Sequence, residues 1–182
     1  MKEELLDVLD ENGVKTGEVL PRKVVHEKGL WHRAIVVAII NDENKILLQQ
    51  RSENKEKNAG MWDISVAGHL SSGQDSLAGA NREISEEVSV NLGFSVKVKD
   101  FRFMTSFRKI QEVSESFIER QFYDFFILRQ EGLNDENIKM QESEVQAIKF
   151  VTVQELNELR EKNLLVDREE VYNSLIEYLF RL

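Results

Sequence analysis

The sequence predicts an α/β (α+β) sandwich, in which helices pack against a mixed β-sheet, and three observations support this prediction. Apart from Arg33, residues 33–40 are apolar and rich in β-branched side chains, which is typical of a strand buried on both faces. Residues 75–88 repeat apolar side chains with a helical period, and two shorter helical patterns follow near the C-terminus. Strands interrupted by one central helix and followed by terminal helices favour helices packed on a sheet.

At the N-terminus, the sequence predicts a β-hairpin. Residues 5–9 alternate weakly between apolar and polar side chains, residues 10–13 form a turn that ends in glycine, and residues 18–20 return. Pro21 is the only proline of the chain and is expected to end any regular element there. Residues 1–30 are therefore interpreted as a hairpin and a lead-in to the buried strand.

The elements of the middle of the chain follow the buried strand in order. A turn over residues 41–44 leads to residues 45–50, which are predicted to be the antiparallel partner of the buried strand. Residues 61–65 predict a short strand, and a Gly- and Ser-rich loop over residues 68–73 leads to Asp75, a candidate helix N-cap. One face of the helix that follows is expected to consist of Leu77, Ala80, Ile84 and Val88.

The second half of the chain predicts three strands and two helices. The strands are expected over residues 94–107, 120–128 and 145–151. The first helix is expected over residues 153–160, where Thr152 and Glu155 have the spacing of a capping box. The second is expected to begin at Asp167 and to end at about Phe180.

Length, composition and charge exclude several classes of protein. A chain of 182 residues argues for a single domain over 1–182, because domains contain roughly 100–200 residues. The absence of cysteine excludes disulfides, a thiolate nucleophile and a cysteine-ligated metal. The net charge of -9 disfavours a nucleic-acid binder, which presents a basic surface. Residues 34–40, the longest strongly apolar run, are far fewer than the roughly 20 that span a bilayer, so we expect a cytoplasmic protein without a membrane partner.

Three glutamates share one stripe of the central helix. Glu83, Glu86 and Glu87 stand at positions i, i+3 and i+4, where like charges repel by roughly 0.2–0.5 kcal/mol per pair. An isolated acidic run is usually a solvated helix face. Here the Gly-rich loop enters the same helix at its N-terminus, where backbone N–H groups can bind phosphate oxygens. Arg82 can pair with Glu86, and a hard divalent cation such as Mg²⁺ would offset more of the repulsion because it prefers oxygen ligands.

Together these residues resemble the Nudix box, Gly-x5-Glu-x7-Arg-Glu-U-x-Glu-Glu-x-Gly-U, in which U is an aliphatic residue. The matching positions are Gly68, Arg82, Glu83, Ile84, Glu86, Glu87 and Val90. Two positions differ, because Gln74 replaces a glutamate and Ser89 replaces a glycine. The segment around residues 49–70 is similar to the branch of this family that contains type I isopentenyl-diphosphate isomerase and its hydrolase relatives, and the resemblance extends over roughly residues 5–160.

The resemblance implies a Nudix-type α/β/α sandwich in which residues 68–90 form a loop and a catalytic helix. It also implies hydrolysis of a nucleoside diphosphate linked to another moiety, with the diphosphate as a small-molecule substrate. The metal would be Mg²⁺ or Mn²⁺, a cation that neutralises phosphate oxygens and activates water. By the resemblance, its ligands would be Glu83, Glu86 and Glu87 with the carbonyl of Gly68, and Arg82 would join them in catalysis.

Two features of the resembled site stay open at this stage. Gln74 removes one carboxylate of the box, so the number of metal ions is not determined. The general base often lies outside the box in this family, and Glu119, Glu142 and Glu144 are the candidates. Homodimers are common in the resembled family, so a homodimer is also an expectation.

All three histidines of the chain lie where the isomerase branch binds a metal. His26, His32 and His69 resemble three histidine ligands and Glu119 resembles a glutamate ligand, which implies a second metal site. The position of the other glutamate ligand is occupied by Gln121, and the essential cysteine of the isomerase is replaced by Ala67. Isomerisation needs a proton donor and a proton acceptor, so these two replacements disfavour isomerase activity.

Three basic residues resemble the diphosphate-binding positions of the isomerase. Arg51 and Lys55 match directly, and Arg22 matches if one residue is gapped. The leading hypothesis is therefore a metal-dependent Nudix hydrolase acting on a small diphosphate. Its alternatives are an isopentenyl-diphosphate isomerase and a diphosphate-binding module that has lost turnover.

Overall fold

The computed structural model describes residues 4–55, 57–87, 100–114, 117–134, 138 and 145–181. Its strands, central helix and C-terminal helices follow in the predicted order, with one short helix over Arg22–Glu27 that the sequence did not predict. In these residues the strands are β1 (Leu5–Leu9), β2 (Lys15–Pro21), β3 (Trp31–Ile40), β4 (Ile46–Arg51), β5 (Trp62–Ile64), β6 (Val66–His69), β7 (Phe101–Ser114), β8 (Phe117–Arg129) and β9 (Val145–Val151). The helices are α1 (Arg22–Glu27), α2 (Ser76–Glu87), α3 (Val153–Glu161) and α4 (Glu169–Phe180). Within the described residues, none of these helices has the length and apolar character needed to cross a bilayer.

The N-terminal hairpin is confirmed, because β1 and β2 pair antiparallel with Leu6 opposite Leu20. Gly13 adopts a φ of 81° in the turn, a conformation that glycine tolerates without a steric penalty. As expected, the strand β2 ends at Pro21, and a helix, α1, begins at the next residue. Proline lacks only an N–H group, so it is compatible with an edge strand and with the start of a helix.

The predicted buried strand is the centre of the sheet. Every residue of β3 from 34 to 40 is buried, which confirms burial on both faces. Strand β8 pairs parallel with β3 along its length, and β6 pairs antiparallel with residues 34–37. The expected pairing of β3 with β4 is reduced to Ile40 opposite Ile46, and β4 pairs instead with β5 and β9. The edge of β3 is occupied by β6, so the turn sequence reverses the chain without building a ladder.

Several predicted boundaries shift. Strand β6 lies where the sequence predicted the start of a loop at Gly68, and β7 continues seven residues beyond the predicted end at Phe107. Residues 94–99 of that predicted strand lie outside the described residues. The prediction for β9 is confirmed, and Thr152 and Glu155 form the predicted capping box of α3. Helix α4 begins two residues later than expected.

Alternate side chains of β3 pack on opposite faces of the sheet, as the two-residue period of a strand requires. Val36, Ala38 and Ile40 pack with apolar residues of α3 and α4. Ile35, Val37 and Ile39 pack with Ala80 and Ile84 of α2, which confirms the apolar face predicted for the central helix within the described residues. Helices on both faces of one mixed sheet confirm the predicted sandwich.

Candidate active site

A cleft of about 980 Å³ opens beside β6 and the C-terminal half of α2. The sequence-predicted residues that line it are Arg22, Arg51, Lys55, Gly68, His69, Arg82, Glu83, Glu86 and Glu119. His26 and His32 are buried behind this surface. Glu87 ends α2, and its side chain lies outside the described part of the chain, as do Glu142, Glu144, Ser89 and Val90. The fold thus brings most of the predicted site residues to one place.

The loop before α2 is held by the N-terminal hairpin. Asp7 accepts hydrogen bonds from the Ser72 hydroxyl at 2.7 Å and from the Gly73 N–H at 3.0 Å. Burial raises the pKa of Asp7, but Lys15 and these hydrogen bonds outweigh it, so the pKa is lowered overall. Asp75 caps the helix by accepting a hydrogen bond from the Ala78 N–H at 2.8 Å, as predicted.

Several of the loop N–H groups expected to bind phosphate are engaged within the fold. The N–H groups of Leu70, Ser72 and Gln74 donate to backbone carbonyls, and that of Gly73 donates to Asp7. These donors are already satisfied within the fold, because β1 packs against the loop. The basic side chains of the cleft are therefore the stronger candidates for contacts with a phosphate.

Glu83 is the buried carboxylate of the site. Its side chain lies against Gly68, and a Cβ at position 68 would overlap the Glu83 carboxylate. Burial raises the pKa of Glu83, Arg82 opposes this effect, and the charges of Glu86 and Glu4 add to it. The glycine of the box therefore makes room for the carboxylate of the helix.

Arg82 connects the two described carboxylates to the loop. Its guanidinium lies 2.6 Å from Glu83 Oε1 and 2.7 Å from Glu86 Oε2. It also donates to the His69 carbonyl at 3.0 Å, and Gln74 Oε1 accepts from its Nε at 3.4 Å. The Gln74 side chain, which replaces a glutamate of the box, therefore contacts the Arg82 guanidinium. The predicted pair of Arg82 with Glu86 is confirmed.

A divalent cation fits this arrangement. Burial destabilises the charged form of Glu83, and a hard cation beside it would restore favourable electrostatics with oxygen ligands.

The register of β6 against β3 moves the expected backbone carbonyl ligand from Gly68 to Ala67. The Leu70 N–H donates to the carbonyl of Arg33, which lies opposite it, so these two residues form a hydrogen-bonded pair of the antiparallel ladder. Such pairs recur at every second residue, so Gly68 and Ile35, which also lie opposite each other, form another. Since such pairs alternate, the Gly68 carbonyl faces β3 and that of Ala67 faces away from β3.

The three histidines form a cluster, as the resemblance implied. One ring nitrogen of each lies within 4.8 Å of the others. The Nδ1 atoms of His26 and His32 lie 2.8 and 3.0 Å from backbone carbonyls, so they donate and leave each Nε2 as an acceptor. Burial lowers the pKa of His32 to about 4 and also lowers those of His26 and His69. The rings are therefore neutral at pH 7.

Gln121 is in direct contact with this cluster. Its amide nitrogen lies 3.1 Å from Nε2 of both His32 and His69, and the His26 Nε2 is buried without a hydrogen-bond partner. An unpaired imidazole nitrogen fits a cation. Glu119, the fourth predicted ligand, lies 2.8 Å from Lys57 Nζ, so this candidate base forms an ion pair.

The predicted diphosphate-binding residues lie on the wall of the same cleft. Arg22 Nη1 lies 3.1 Å from Glu4 Oε2 at the N-terminal side. Arg51 donates from Nε to the Lys57 carbonyl at 3.2 Å, which anchors it to the loop that also carries Lys55. The cleft thus has the carboxylates of α2 on one side and basic side chains on its wall, an arrangement that suits a diphosphate complexed with a metal ion.

Sequence analysis missed an ion pair on this wall between Asp63 and Arg168. Asp63 is the acidic residue of a short apolar strand, and a buried charge in such a strand signals a partner. The sequence carries no signal for which cation that partner is, because 105 positions separate the two residues.

Known proteins with related sequences and folds match most of this chain. The NUDIX domain model matches residues 30–174. Nudix hydrolase 3 of Arabidopsis thaliana is 38% identical over 157 residues, which make up 85% of this chain and 20% of that protein, so the chain spans about a fifth of this relative. Isopentenyl-diphosphate Delta-isomerase of Serratia proteamaculans is 31% identical over 139 residues, 76% of this chain and 72% of that protein. The crystal structure of DR0079 from Deinococcus radiodurans, 17% identical, covers 98% of each chain with a TM-score of 0.70, which shows a shared fold.

Proposed function

The chain belongs to the Nudix family, and from this premise we propose that it is a metal-dependent phosphohydrolase that cleaves a diphosphate linkage. The substrate class is a nucleoside diphosphate linked to another moiety or a similar small metabolite. The family match and the hydrolase relative support a Nudix phosphohydrolase. The single observation that carries the proposal is the buried carboxylate of Glu83 against Gly68 at the edge of a polar cleft.

The proposed metal ligands are Glu83, Glu86 and Glu87, with the backbone carbonyl of Ala67, which faces away from β3. Mg²⁺ or Mn²⁺ held there would neutralise phosphate oxygens and supply an activated water. Glu83 is preorganised for this role, because its position is set by the absence of a side chain at Gly68. Preorganised charges act without the cost of rearrangement during the reaction.

The remaining residues of the cleft bind and orient the substrate in this proposal. Arg51, Lys55 and Arg22 compensate the negative charge of the diphosphate, and guanidinium groups bind phosphate with paired hydrogen bonds. Arg82 holds Glu83 and Glu86 in place and is engaged with both of them. Glu119 is a candidate base only when Lys57 releases it, whereas Glu142 and Glu144 stay candidates outside the described residues.

The test is a panel of nucleotide sugars, dinucleotides, ADP-ribose and oxidised nucleotides incubated with Mg²⁺ or Mn²⁺. We expect monophosphate products from at least one compound, detected by ³¹P NMR, and their loss on chelation with EDTA. Glu83→Gln serves as the inactive comparison, and Glu158→Gln, on the exposed surface of α3, serves as the matched control. Intact substrate throughout, with either metal and at high enzyme concentration, would favour a binding module.

Isomerase activity is the second candidate function, and the histidine cluster together with the isomerase relative favours it. In this candidate, His26, His32 and His69 hold a second metal, with Glu119 as a further ligand. Ala67 and Gln121 argue against turnover, because neither side chain is an acid that exchanges a proton with the substrate. Incubation with isopentenyl diphosphate separates the two functions, since an isomerase yields the dimethylallyl isomer and releases no phosphate.

The cytoplasmic location and the homodimer expected from the sequence are also proposals. Light scattering during gel filtration tests the homodimer through the molar mass, which is 21.2 kDa for one chain. Fractionation of cells that express the protein tests the location.

A further inference from the structure

The segment before α4 covers the cleft wall at β5. Trp62 N–H donates to the Leu164 carbonyl at 2.9 Å, and Val166 N–H donates to the Trp62 carbonyl at 2.8 Å. These bonds extend the sheet by a short parallel bridge and direct Arg168 at Asp63. Asp63, Arg168 and Val166 all line the cleft.

Arg168 saturates the Asp63 carboxylate. Its Nε lies 2.6 Å from Oδ1 and its Nη2 lies 3.1 Å from Oδ2, a bidentate geometry that is strong for a guanidinium and a carboxylate. Oδ1 also accepts from the Ile64 N–H at 2.8 Å. Asp63 has no solvent exposure, so its charge must be compensated within the protein.

A second arginine lies near the same carboxylate. Arg51 Nη1 lies 3.8 Å from Asp63 Oδ2, which is beyond hydrogen-bonding distance. The only described contact of its Nε is the Lys57 carbonyl. Within the described residues, Asp63 is the acid that both guanidiniums approach; Arg168 holds both of its oxygens, and Arg51 keeps only the longer 3.8 Å contact.

We propose that Arg168 is a positioning residue, which occupies Asp63 and so keeps the Arg51 guanidinium available to the diphosphate of the substrate. Without Arg168, Arg51 would be the nearest cation to a buried carboxylate and would turn from the cleft to pair with it. The assignment of Arg51 as a diphosphate ligand belongs to the proposed function, on which this inference rests. That Arg168, and not Arg51, is bonded to Asp63 is a property of the fold and does not depend on the proposed function.

The first arm of the test needs no ligand. The free energy of urea unfolding is measured for the wild type, Arg51→Met, Arg168→Met and the double variant. We expect Arg51→Met to have little effect in the wild type and a much larger effect after Arg168→Met, because Arg51 then becomes the partner of Asp63. Equal effects of Arg51→Met in both backgrounds would overturn the proposal.

The second arm measures binding of methylenediphosphonate, a non-hydrolysable probe, with Mg²⁺ or Mn²⁺ by calorimetry. We expect Arg168→Met to weaken binding by about tenfold or more, and Asp63→Asn/Arg168→Met to bind like Asp63→Asn, because a neutral amide at position 63 no longer attracts Arg51. Arg160→Met is the matched control, since Arg160 bonds Glu169 of α4 outside the cleft. If the double variant binds more weakly than Asp63→Asn, then Arg168 contacts the diphosphate itself and the proposal is wrong.

The two arms distinguish failure of this inference from failure of the proposed function. A wild type that does not bind the probe with either metal counts against the proposed function, and the unfolding cycle then decides the role of Arg168. If Arg168→Met does not fold, the comparison of Asp63→Asn with Asp63→Asn/Arg168→Met decides it, because neither variant leaves a buried carboxylate unpaired.

Discussion

Replacing Glu83 by glutamine should strongly reduce turnover and, in the absence of divalent metal, leave the protein no less stable. Burial raises the pKa of Glu83, so the folded protein binds its proton more tightly than the unfolded chain does. A carboxyl group of this kind costs stability as the pH rises from the unfolded value of 4.5 through the folded value. Glutamine keeps the shape of the side chain and removes that cost at pH 7.

The partner of Glu83 keeps other contacts in the variant. Arg82 still bonds Glu86 at 2.7 Å and the His69 carbonyl at 3.0 Å, so no buried cation is left unpaired. In EDTA, we therefore expect a melting temperature equal to or above that of the wild type, by about 2–4 °C for each kcal/mol of relieved desolvation.

Addition of Mg²⁺ should raise the melting temperature of the wild type above that of Glu83→Gln. A ligand at about 100 times its Kd stabilises the folded state by roughly 2.7 kcal/mol, which corresponds to about 5–10 °C for a chain of this size. The wild type should show this shift, and Glu83→Gln should lose most of it. The bound metal would also stabilise the transition state, and loss of several kcal/mol of that stabilisation should lower kcat by about 10²–10⁴, at 1.36 kcal/mol for each factor of ten.

Differential scanning fluorimetry in EDTA and in MgCl2, with a ³¹P NMR assay of turnover, measures both effects. Glu158→Gln should behave like the wild type in each experiment. If Glu83→Gln retained the wild-type rate, or gained as much stability from Mg²⁺ as the wild type, Glu83 would not be a metal ligand.

Three further changes test neighbouring parts of the site. Gly68→Ala places a methyl group where the Glu83 carboxylate lies, so we expect kcat to fall by about 10²-fold or more while far-UV circular dichroism is unchanged; wild-type turnover would contradict the contact. Asp7→Asn should lower the free energy of unfolding at pH 7 by about 1–3 kcal/mol. Because the pKa of Asp7 is lowered below 3.8, the deficit should disappear as the pH falls through that lowered value, and a deficit of equal size at pH 2 and pH 7 in urea titrations would refute the charge argument. Gln74→Glu restores the carboxylate of the box and should raise turnover or the number of bound Mn²⁺ ions counted by electron paramagnetic resonance; no change in either would show that the replacement at position 74 is silent.

Local patterns in the sequence predicted the carboxylate helix well. The Asp75 cap, the apolar face with Ala80 and Ile84, and the pair of Arg82 with Glu86 all depend on residues within a few positions of each other. Helical pitch determines such neighbours once the helix exists. The capping box of α3 was predictable for the same reason.

Partners that lie far apart in the chain were not predictable in the same way. The turn after β3 indicated a hairpin with β4, but an apolar strand edge does not specify which strand pairs with it, and β6 occupies that edge of β3. The loop before α2 was expected to offer N–H groups to phosphate, whereas Asp7 of the distant hairpin uses one of them.

The sequence by itself determined which chemical groups the site contains and which helix carries them, because residue identity and short spacing follow directly from the chain. Only the tertiary structure decided that Glu83 is buried over Gly68 and that Arg168 occupies Asp63. Burial and charge pairing depend on which distant segments pack together, and that choice is made by the free energy of the whole fold.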